Sequence, residues 1–148
     1  MARLALHPIG SALNAAAAAA NREAMTPLKQ RLLDKREAVH SGWGASYIER
    51  VHKKGKLTAW ERIERLIDAG SRPLAVGTLV NDGELFGPEQ RPAPGAGVVT
   101  AWCRIAARWT MVIANDNTVA SGSWGPRTPE KIERAQEMAL KLRVPVVY

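Results

Sequence analysis

Two hydrophobic periodicities divide the chain near Gly70. Before this residue, apolar side chains recur every three or four positions, which is the spacing of helices that bury one face. After it, apolar residues alternate with polar ones or form continuous runs, which is typical of β-strands. The pattern therefore predicts a helical first half followed by a mixed α/β second half.

The first half contains three predicted helices, of which the third is the best defined. It lies in "LTAWERIERLIDAGS", where Thr58 and Glu61 have the spacing of a capping box. Ile63 follows on the expected buried stripe, and Gly70 marks the expected end of the helix.

The first predicted helix follows an Ala-rich segment of low complexity. Thr26 is the expected N-cap and Pro27 takes the first helical position, which together favour a helix start. A short second helix is predicted over residues 46–55. We expect residues 1–43 to form an Ala-rich, helical N-terminal extension, frayed or poorly ordered at its start, and residues 44–148 to form the main domain.

The second half is predicted to contain strands separated by turn-rich loops. "RPLAVGTLV" predicts a strand, and the Gly- and Pro-rich "NDGELFGPEQRPAPGAG" predicts a long loop. "VVTAWCRI" and "TMVIAND" predict an antiparallel pair of strands joined through "AARW".

The last helix and the last strand complete a predicted βαβ unit. The helix is expected to begin with Thr128 as N-cap and to bury Ile132, Ala135, Ala139 and Leu142. The closing run "VPVVY" predicts a strand parallel to "TMVIAND". Because such a strand needs further neighbours to cover it, we expect the sheet to be incomplete at the C-terminus.

Composition and charge narrow the class of protein. The 148-residue chain has the size of one domain, with 46% apolar residues, and it contains no apolar run long enough to cross a membrane. Its 21 basic and 14 acidic residues give a net charge of +7. This charge favours nucleic acid, anionic lipid or the phosphates of a nucleotide-bearing small molecule as partners. The most basic stretch, "ERVHKKGK", is either a solvated helix face or an anion contact.

Few residues suggest side-chain chemistry. His7, His40 and His52 have no carboxylate or thiol at ligand spacing, so no metal site is predicted. Cys103, the single cysteine, lies in a strand-like run where a thiol usually packs as a small hydrophobic group. The loop "NTVASGSWGPR" is more informative, because a glycine-containing loop that leads into a helix exposes backbone N–H groups to a ligand. An ordinary strand-to-helix connection is the alternative.

Three segments in register resemble one family. They are "GKLTAWERIERLIDAGS" (55–71), "VIANDNTVASGSW" (112–124) and "EKIERAQEMALKLRVPVVY" (130–148). In order and spacing they resemble the N-terminal portion of the carboxyltransferase (β) subunit of biotin-dependent acyl-CoA carboxylases. That group includes the propionyl-CoA and methylcrotonyl-CoA carboxylases and glutaconyl-CoA decarboxylase. Trp60 departs from the family pattern, which usually has Arg, and Cys103 stands where the strand usually has Gly.

The resemblance implies a fold, an activity and partners. The implied fold is α/β and crotonase-like, built from ββα units, here with several helices before it. The implied reaction transfers a carboxyl group from carboxybiotin, held on a carrier protein, to the α-carbon of an acyl-CoA. The implied partners are acyl-CoA, the biotin carboxyl carrier and biotin carboxylase components, and further copies of the subunit. The implied location is the cytoplasm, or the mitochondrial matrix of a eukaryote.

The resemblance also implies where the acyl-CoA binds. The family loop that corresponds to "VASGSWGP" lies along the CoA thioester channel, so we expect Gly122, Ser123 and Trp124 to contact acyl-CoA. Lys54 and Lys56 are added as phosphate contacts on charge alone. The family's oxyanion-stabilising glycines follow the strand that begins with "PVVY". We therefore expect an N-terminal fragment that ends before those glycines, contains no catalytic residue and is inactive alone.

Two alternatives remain open. The first is a decarboxylase of the glutaconyl-CoA type, which runs the same half-reaction in reverse and towards which "LAVGTLVND" leans. The second is a basic nucleic-acid-binding module. The net charge favours this module, but no base-reading or stacking motif supports it.

Overall fold

The computed structural model describes residues 14–148 and divides into two compact units. The first unit ends at Asp34, and the second runs from Lys35 to Tyr148. Helix α1 (Ala15–His40) contributes to both units. The domain boundary expected after residue 43 stays a prediction.

Helix α1 begins well before its predicted N-cap. Thr26 and Pro27 lie inside it, so the predicted helix start is wrong. The Thr26 hydroxyl donates a hydrogen bond to a carbonyl of the preceding turn at 2.8 Å, as threonine does within helices. Asn14 takes the capping role instead, since its side chain accepts from the backbone N–H of Ala16 at 2.9 Å. The expectations for residues 1–13 lie outside the described part of the chain.

The second unit combines three further helices with six strands. In chain order these are α2 (Ala45–His52), α3 (Ala59–Leu66), β1 (Leu74–Val76), β2 (Leu85–Phe86), β3 (Arg91–Pro92), β4 (Val98–Ile105), β5 (Arg108–Asn115), α4 (Thr128–Leu142) and β6 (Val146–Val147). Short 3₁₀ turns at Pro94–Gly97 and Ala120–Gly122 precede β4 and α4. The mixture confirms the predicted α/β class with helices before the sheet.

Strands β4 and β5 form the centre of a four-stranded sheet with the order β1-β4-β5-β6. They are antiparallel, with Thr100 opposite Ile113. Strand β6 runs parallel to β5, with Val146 opposite Met111. These pairings confirm the predicted hairpin and the βαβ unit. Strands β2 and β3 form a separate ladder inside the segment predicted to be a loop, so that prediction is wrong there.

Helix α3 opens with the predicted capping box. The Thr58 hydroxyl accepts from the Glu61 backbone N–H at 3.3 Å, and the Glu61 carboxylate accepts from the Thr58 backbone N–H at 2.7 Å. The helix ends at Leu66, before the predicted stop at Gly70, because Ile67 adopts an extended conformation.

Helices α3 and α4 pack on opposite faces of the sheet. Successive side chains of a strand point to opposite faces of the sheet, so β4 and β5 each contribute residues to two hydrophobic clusters, one on each face. The cluster under α3 contains Ala59, Ile63, Val99, Ala101, Cys103 and Val112. The cluster under α4 contains Val98, Met111, Ile113, Ile132, Ala135 and Ala139. Burial of Cys103 at 0% exposure confirms its predicted role as a small core side chain.

The C-terminal end of α4 differs from the prediction. Leu142 was expected to face inward but is 64% exposed. The helix ends at this residue because Arg143 adopts the left-handed conformation. Val144 and Val146 pack against the cluster under α4 in its place.

The N-terminal end of α4 also differs. Arg127, not Thr128, holds the N-cap position. Thr128 is 0% exposed, and its hydroxyl donates to the carbonyl of Ala96 at 2.6 Å. The predicted N-cap is therefore wrong, because a buried partner from another segment uses the hydroxyl.

Candidate functional site

The connection between β5 and α4 (residues 116–127) is the expected ligand loop, and its first residue is fixed from two sides. Asp116 is buried, and its carboxylate accepts from the Thr118 backbone N–H at 2.9 Å and from the Thr118 hydroxyl at 2.6 Å. The Asp116 backbone N–H donates to the carbonyl of Gly97 at 2.9 Å. The hydrogen bonds of Asp116 therefore fix the start of the loop in place.

Asn117 joins this loop to the basic segment before α3. Its side-chain amide donates to the carbonyl of Leu57 at 2.9 Å, while its Oδ1 atom is buried without a partner among the described residues. Gly122 packs behind it with φ of 83°, a conformation that favours glycine. A Cβ atom at Gly122 would lie 3.7 Å from Asn115 and from Asn117. The loop and the Lys56–Leu57 segment therefore form one assembly.

Ser123 and Trp124 follow Gly122 on the accessible side of the loop. Both are exposed, and Trp124 is 62% exposed. The neighbouring Ser121 accepts a hydrogen bond at 3.1 Å from the guanidinium of Arg50 on α2. An arginine of helix α2 therefore contacts the loop, whereas the sequence predicts contacts from Lys54 and Lys56.

A groove of about 430 Å³, which we call the Trp43 groove, lies beside the loop. Its walls come from the segment after α1, the β2–β3 ladder, the turn before β4 and the loop: Trp43, Phe86, Gly87, Pro88, Glu89, Arg91, Pro92, Ala93, Ala96, Gly97, Val119, Ala120, Ser123, Gly125 and Pro126. Of the three predicted loop residues, Ser123 lines this groove.

Two arginines and two aromatic rings form a cluster, of which Trp43 and Arg91 line the Trp43 groove. The Arg91 guanidinium stacks on the Trp43 ring at 5.0 Å and donates to the Tyr47 hydroxyl at 2.5 Å. The Arg50 guanidinium lies 4.8 Å from the centre of the Tyr47 ring. The hydrogen bond to Tyr47 and the charge of Glu89 raise the pKa of Arg91. Flat rings beside fixed positive charges suit a ligand with aromatic and anionic parts.

A second groove, the Lys56 groove, has a volume of about 350 Å³. It is lined by residues of α3, the end of β5 and β6, among them Lys56, Ile63, Asn115, Asn117 and Tyr148. The loop borders both grooves, because Asn117 lines the Lys56 groove while Val119 and Ser123 line the Trp43 groove. Lys56 therefore lines the same groove as Asn117, which belongs to the loop.

Lys54 lies in the exposed turn after α2. Its ammonium pairs with no carboxylate within residues 14–148, and no hydrogen bond joins it to the loop there. The structure therefore brings Gly122, Ser123 and Trp124 together in one loop, with Lys56 at a neighbouring groove and Lys54 apart.

Lys131 is the main charged residue that sequence reasoning missed. It is 8% exposed on α4, and its ammonium donates to the carbonyls of Gly95 at 2.8 Å and Val98 at 2.7 Å. Burial lowers its pKa to about 8, against the opposing effect of Asp116. The signal was present in the sequence, since Lys131 follows Thr128 at helical spacing on the face that also carries Ala135.

Metal and thiol chemistry have no support in residues 14–148. No group of three or more potential metal ligands occurs there. Burial raises the pKa of the Cys103 thiol to about 11, so the reactive thiolate is disfavoured. None of the helices described is long and apolar enough to cross a membrane.

Comparison with known proteins identifies the family. The carboxyl transferase domain model matches residues 50–148, which include α3, the whole sheet, the loop and α4. The chain belongs to this family. The mitochondrial methylcrotonoyl-CoA carboxylase β chain of Arabidopsis thaliana is 36% identical over 141 residues, which is 95% of this chain and 23% of that protein.

Two further comparisons agree with this family. The α subunit of glutaconyl-CoA decarboxylase from Acidaminococcus fermentans is 37% identical over 99 residues, covering 66% of this chain and 16% of that protein. The crystal structure of transcarboxylase 12S, a hexamer with bound methylmalonyl-CoA, matches with a TM-score of 0.70 at 32% identity. That match covers 79% of this chain and 23% of the transcarboxylase chain. The predicted crotonase-like carboxyltransferase fold is therefore confirmed, and the chain spans between about a sixth and a quarter of the length of these relatives.

Proposed function

We propose that the chain forms part of an acyl-CoA carboxyltransferase, in which the loop of residues 116–127 binds the acyl-CoA. The observation that supports this most strongly is the family match across residues 50–148, which contain this loop, and residues of the loop line both grooves. The reaction moves a carboxyl group from carboxybiotin to the α-carbon of the acyl-CoA, and the α-proton passes to biotin. Carboxybiotin is a substrate held by a carrier protein, and no described residue is assigned to it.

Within the loop, we assign Gly122, Ser123 and Trp124 different roles in binding acyl-CoA. Gly122 allows the backbone to turn closely past Asn117, so the ligand approaches the main chain. Ser123 offers a hydroxyl to the Trp43 groove, and Trp124 offers an exposed ring for apolar contact.

The phosphates of the CoA moiety interact with the basic residues near the loop. Lys56 borders the neighbouring groove, and Arg50 already contacts the loop through Ser121. We retain Lys54 as a weaker contact, because it lies in the same basic segment but shares no hydrogen bond with the loop among the described residues. Such ion contacts are screened by salt, so binding should weaken as ionic strength rises.

The complete protein is proposed to work with several partners. These are a biotin carboxyl carrier component, a biotin carboxylase component and further copies of the same subunit. The proposed location is the cytoplasm, or the mitochondrial matrix in a eukaryote. Decarboxylation is the second candidate activity, supported by the relative whose printed name is glutaconyl-CoA decarboxylase.

Calorimetric titration of the full chain with propionyl-CoA tests the binding role. We expect Trp124→Ala to weaken affinity about three- to tenfold, the typical value of one aromatic contact. Trp109→Ala is the matched control, because Trp109 is 49% exposed but lies at the start of β5, by the hairpin turn. Absence of binding by the unmodified chain, or equal losses in the two variants, would contradict the proposal.

The lysine contacts have a separate control. Lys56→Ala should reduce the salt dependence of propionyl-CoA binding. Lys53→Ala should not, because the exposed Lys53 already pairs with Glu49 at 2.9 Å. Identical salt dependence in the two variants would remove Lys56 from the site.

A further inference from the structure

A strained turn forms part of the wall of the Trp43 groove. Gly95, Ala96 and Gly97 are consecutive residues with left-handed φ angles of 57°, 57° and 64°. Ala96 is only 1% exposed and carries a side chain, so this conformation costs free energy at that position. Such a turn persists only where surrounding contacts fix it.

The carbonyl groups of this turn are held from the inside of the protein. Lys131 donates to the carbonyls of Gly95 and Val98, and Thr128 donates to that of Ala96. The remaining carbonyl, of Gly97, accepts from the backbone N–H of Asp116. All four carbonyls from residue 95 to residue 98 therefore have partners, three of them from side chains of α4.

Burying a lysine to donate hydrogen bonds to carbonyl groups costs free energy, because the ammonium loses its contacts with water. Removing an ammonium from water costs several kcal/mol, and no carboxylate among the described residues forms a hydrogen bond with Lys131. An apolar side chain would pack in α4 without that cost, but it would leave the Gly95 and Val98 carbonyls without these donors. The hydrogen bonds to the Gly95 and Val98 carbonyls therefore explain why a lysine is buried at this position.

We propose that Lys131 is a positioning residue that fixes the Gly95–Gly97 turn, and through it the wall of the groove that receives acyl-CoA. The proposal rests on the proposed function for its ligand. The link to the loop is short, because Gly97 is hydrogen-bonded to Asp116, the first residue of the loop. Lys131 lines neither the Trp43 groove nor the Lys56 groove, so it acts through the turn.

Binding of propionyl-CoA to the full chain tests the positioning role. Lys131→Met keeps an unbranched side chain one atom shorter but removes the donors, and we expect at least a tenfold loss of affinity at a temperature where the variant stays folded. Ala135→Gly is the control, since Ala135 is buried one turn later on α4, away from the turn. That variant should lose stability but bind within about twofold of the unmodified chain. Unchanged affinity in Lys131→Met would overturn the proposal.

A milder variant and a second readout keep the test decisive. Thr128→Val preserves the shape of the side chain. It removes the hydrogen bond to the Ala96 carbonyl and also the acceptor of the Gly125 backbone N–H, so a several-fold loss of affinity is expected. Amide hydrogen exchange over residues 95–98 should accelerate in Lys131→Met and Thr128→Val but not in Ala135→Gly. If the unmodified chain binds no propionyl-CoA, the proposed function fails. Equal exchange in all variants would overturn the role of Lys131 whatever the ligand.

Discussion

The carboxylate of Asp68 lies across the tip of the β4–β5 hairpin and accepts a hydrogen bond from the backbone N–H of Ala106 at 2.7 Å. Its second oxygen accepts from Ala107 at 2.8 Å. The two alanines form the whole turn and have left-handed φ angles of 49° and 62°. Turns of this kind usually require Asn or Gly. A carboxylate from a separate segment thus supports a turn that its own residues disfavour.

Removing this carboxylate should destabilise the protein. Asp68→Ala leaves two backbone N–H groups without their acceptor, and we expect the free energy of unfolding to fall by about 1–3 kcal/mol. Ala107→Gly should raise it by about 1 kcal/mol, since glycine adopts positive φ without strain. Urea denaturation of both variants measures these changes. A rise in Asp68→Ala, a fall in Ala107→Gly, or no change in either variant would contradict this account of the turn.

Gly42 is required by close packing and by its backbone conformation together. Its φ is 57°, and a Cβ atom there would lie 1.9 Å from the Thr118 hydroxyl oxygen. Gly55 has a similar φ of 65° with nothing within 4 Å of the same position. Gly55→Ala should therefore cost about 1–2 kcal/mol from strain alone, and Gly42→Ala should cost clearly more. Thermal or urea unfolding compares the two, and equal costs would exclude the clash with Thr118.

Acid should weaken the start of α3. The hydrogen bond from His52, followed by that from the Thr58 backbone, lowers the pKa of Glu61 from 4.5 to about 2. A carboxyl whose pKa is lower in the folded state stabilises the protein above pH 4.5, and this contribution is lost as pH falls towards 2. Glu61→Gln should remove that part of the pH dependence. The measurement is the unfolding midpoint of the unmodified chain and of Glu61→Gln between pH 5 and pH 2. If the midpoints of both proteins change with pH to the same extent, the pKa of Glu61 does not contribute to acid sensitivity.

The thiol of Cys103 should be unreactive in the folded protein. It is completely buried under α3, and burial raises its thiol pKa to about 11. A thiol-specific reagent should label it only after denaturation. Rapid labelling under native conditions would mean that the sheet opens at this position.

Local signals in the sequence predicted local structure well. Thr58 and Glu61 are three residues apart, so a capping box can form without information from elsewhere, and it does. The β5–α4–β6 unit was predictable because each element carries its own hydrophobic period. Thr26 and Pro27 carry an equally strong local signal, yet α1 continues through both.

Contacts between distant segments could not be predicted. The hydroxyl of Thr128 and the ammonium of Lys131 bind a turn more than thirty residues away. The local N-cap pattern therefore predicted the wrong role for Thr128, and no local pattern predicted a role for Lys131. The resemblance gave the family and the loop. It gave neither Arg50 beside Ser121 nor Asn117 bound to Leu57, because these contacts depend on how α2 and α3 meet the loop.

The central claim is that acyl-CoA binds along the loop between β5 and α4. Hydrogen–deuterium exchange of the full chain, with and without saturating propionyl-CoA, tests this most directly. We predict slower exchange over residues 115–125 and over the Gly95–Gly97 turn, with no change at Ala106 and Ala107 on the distant hairpin tip. Slower exchange confined to other parts of the chain, or no change at saturating ligand, would contradict the claim.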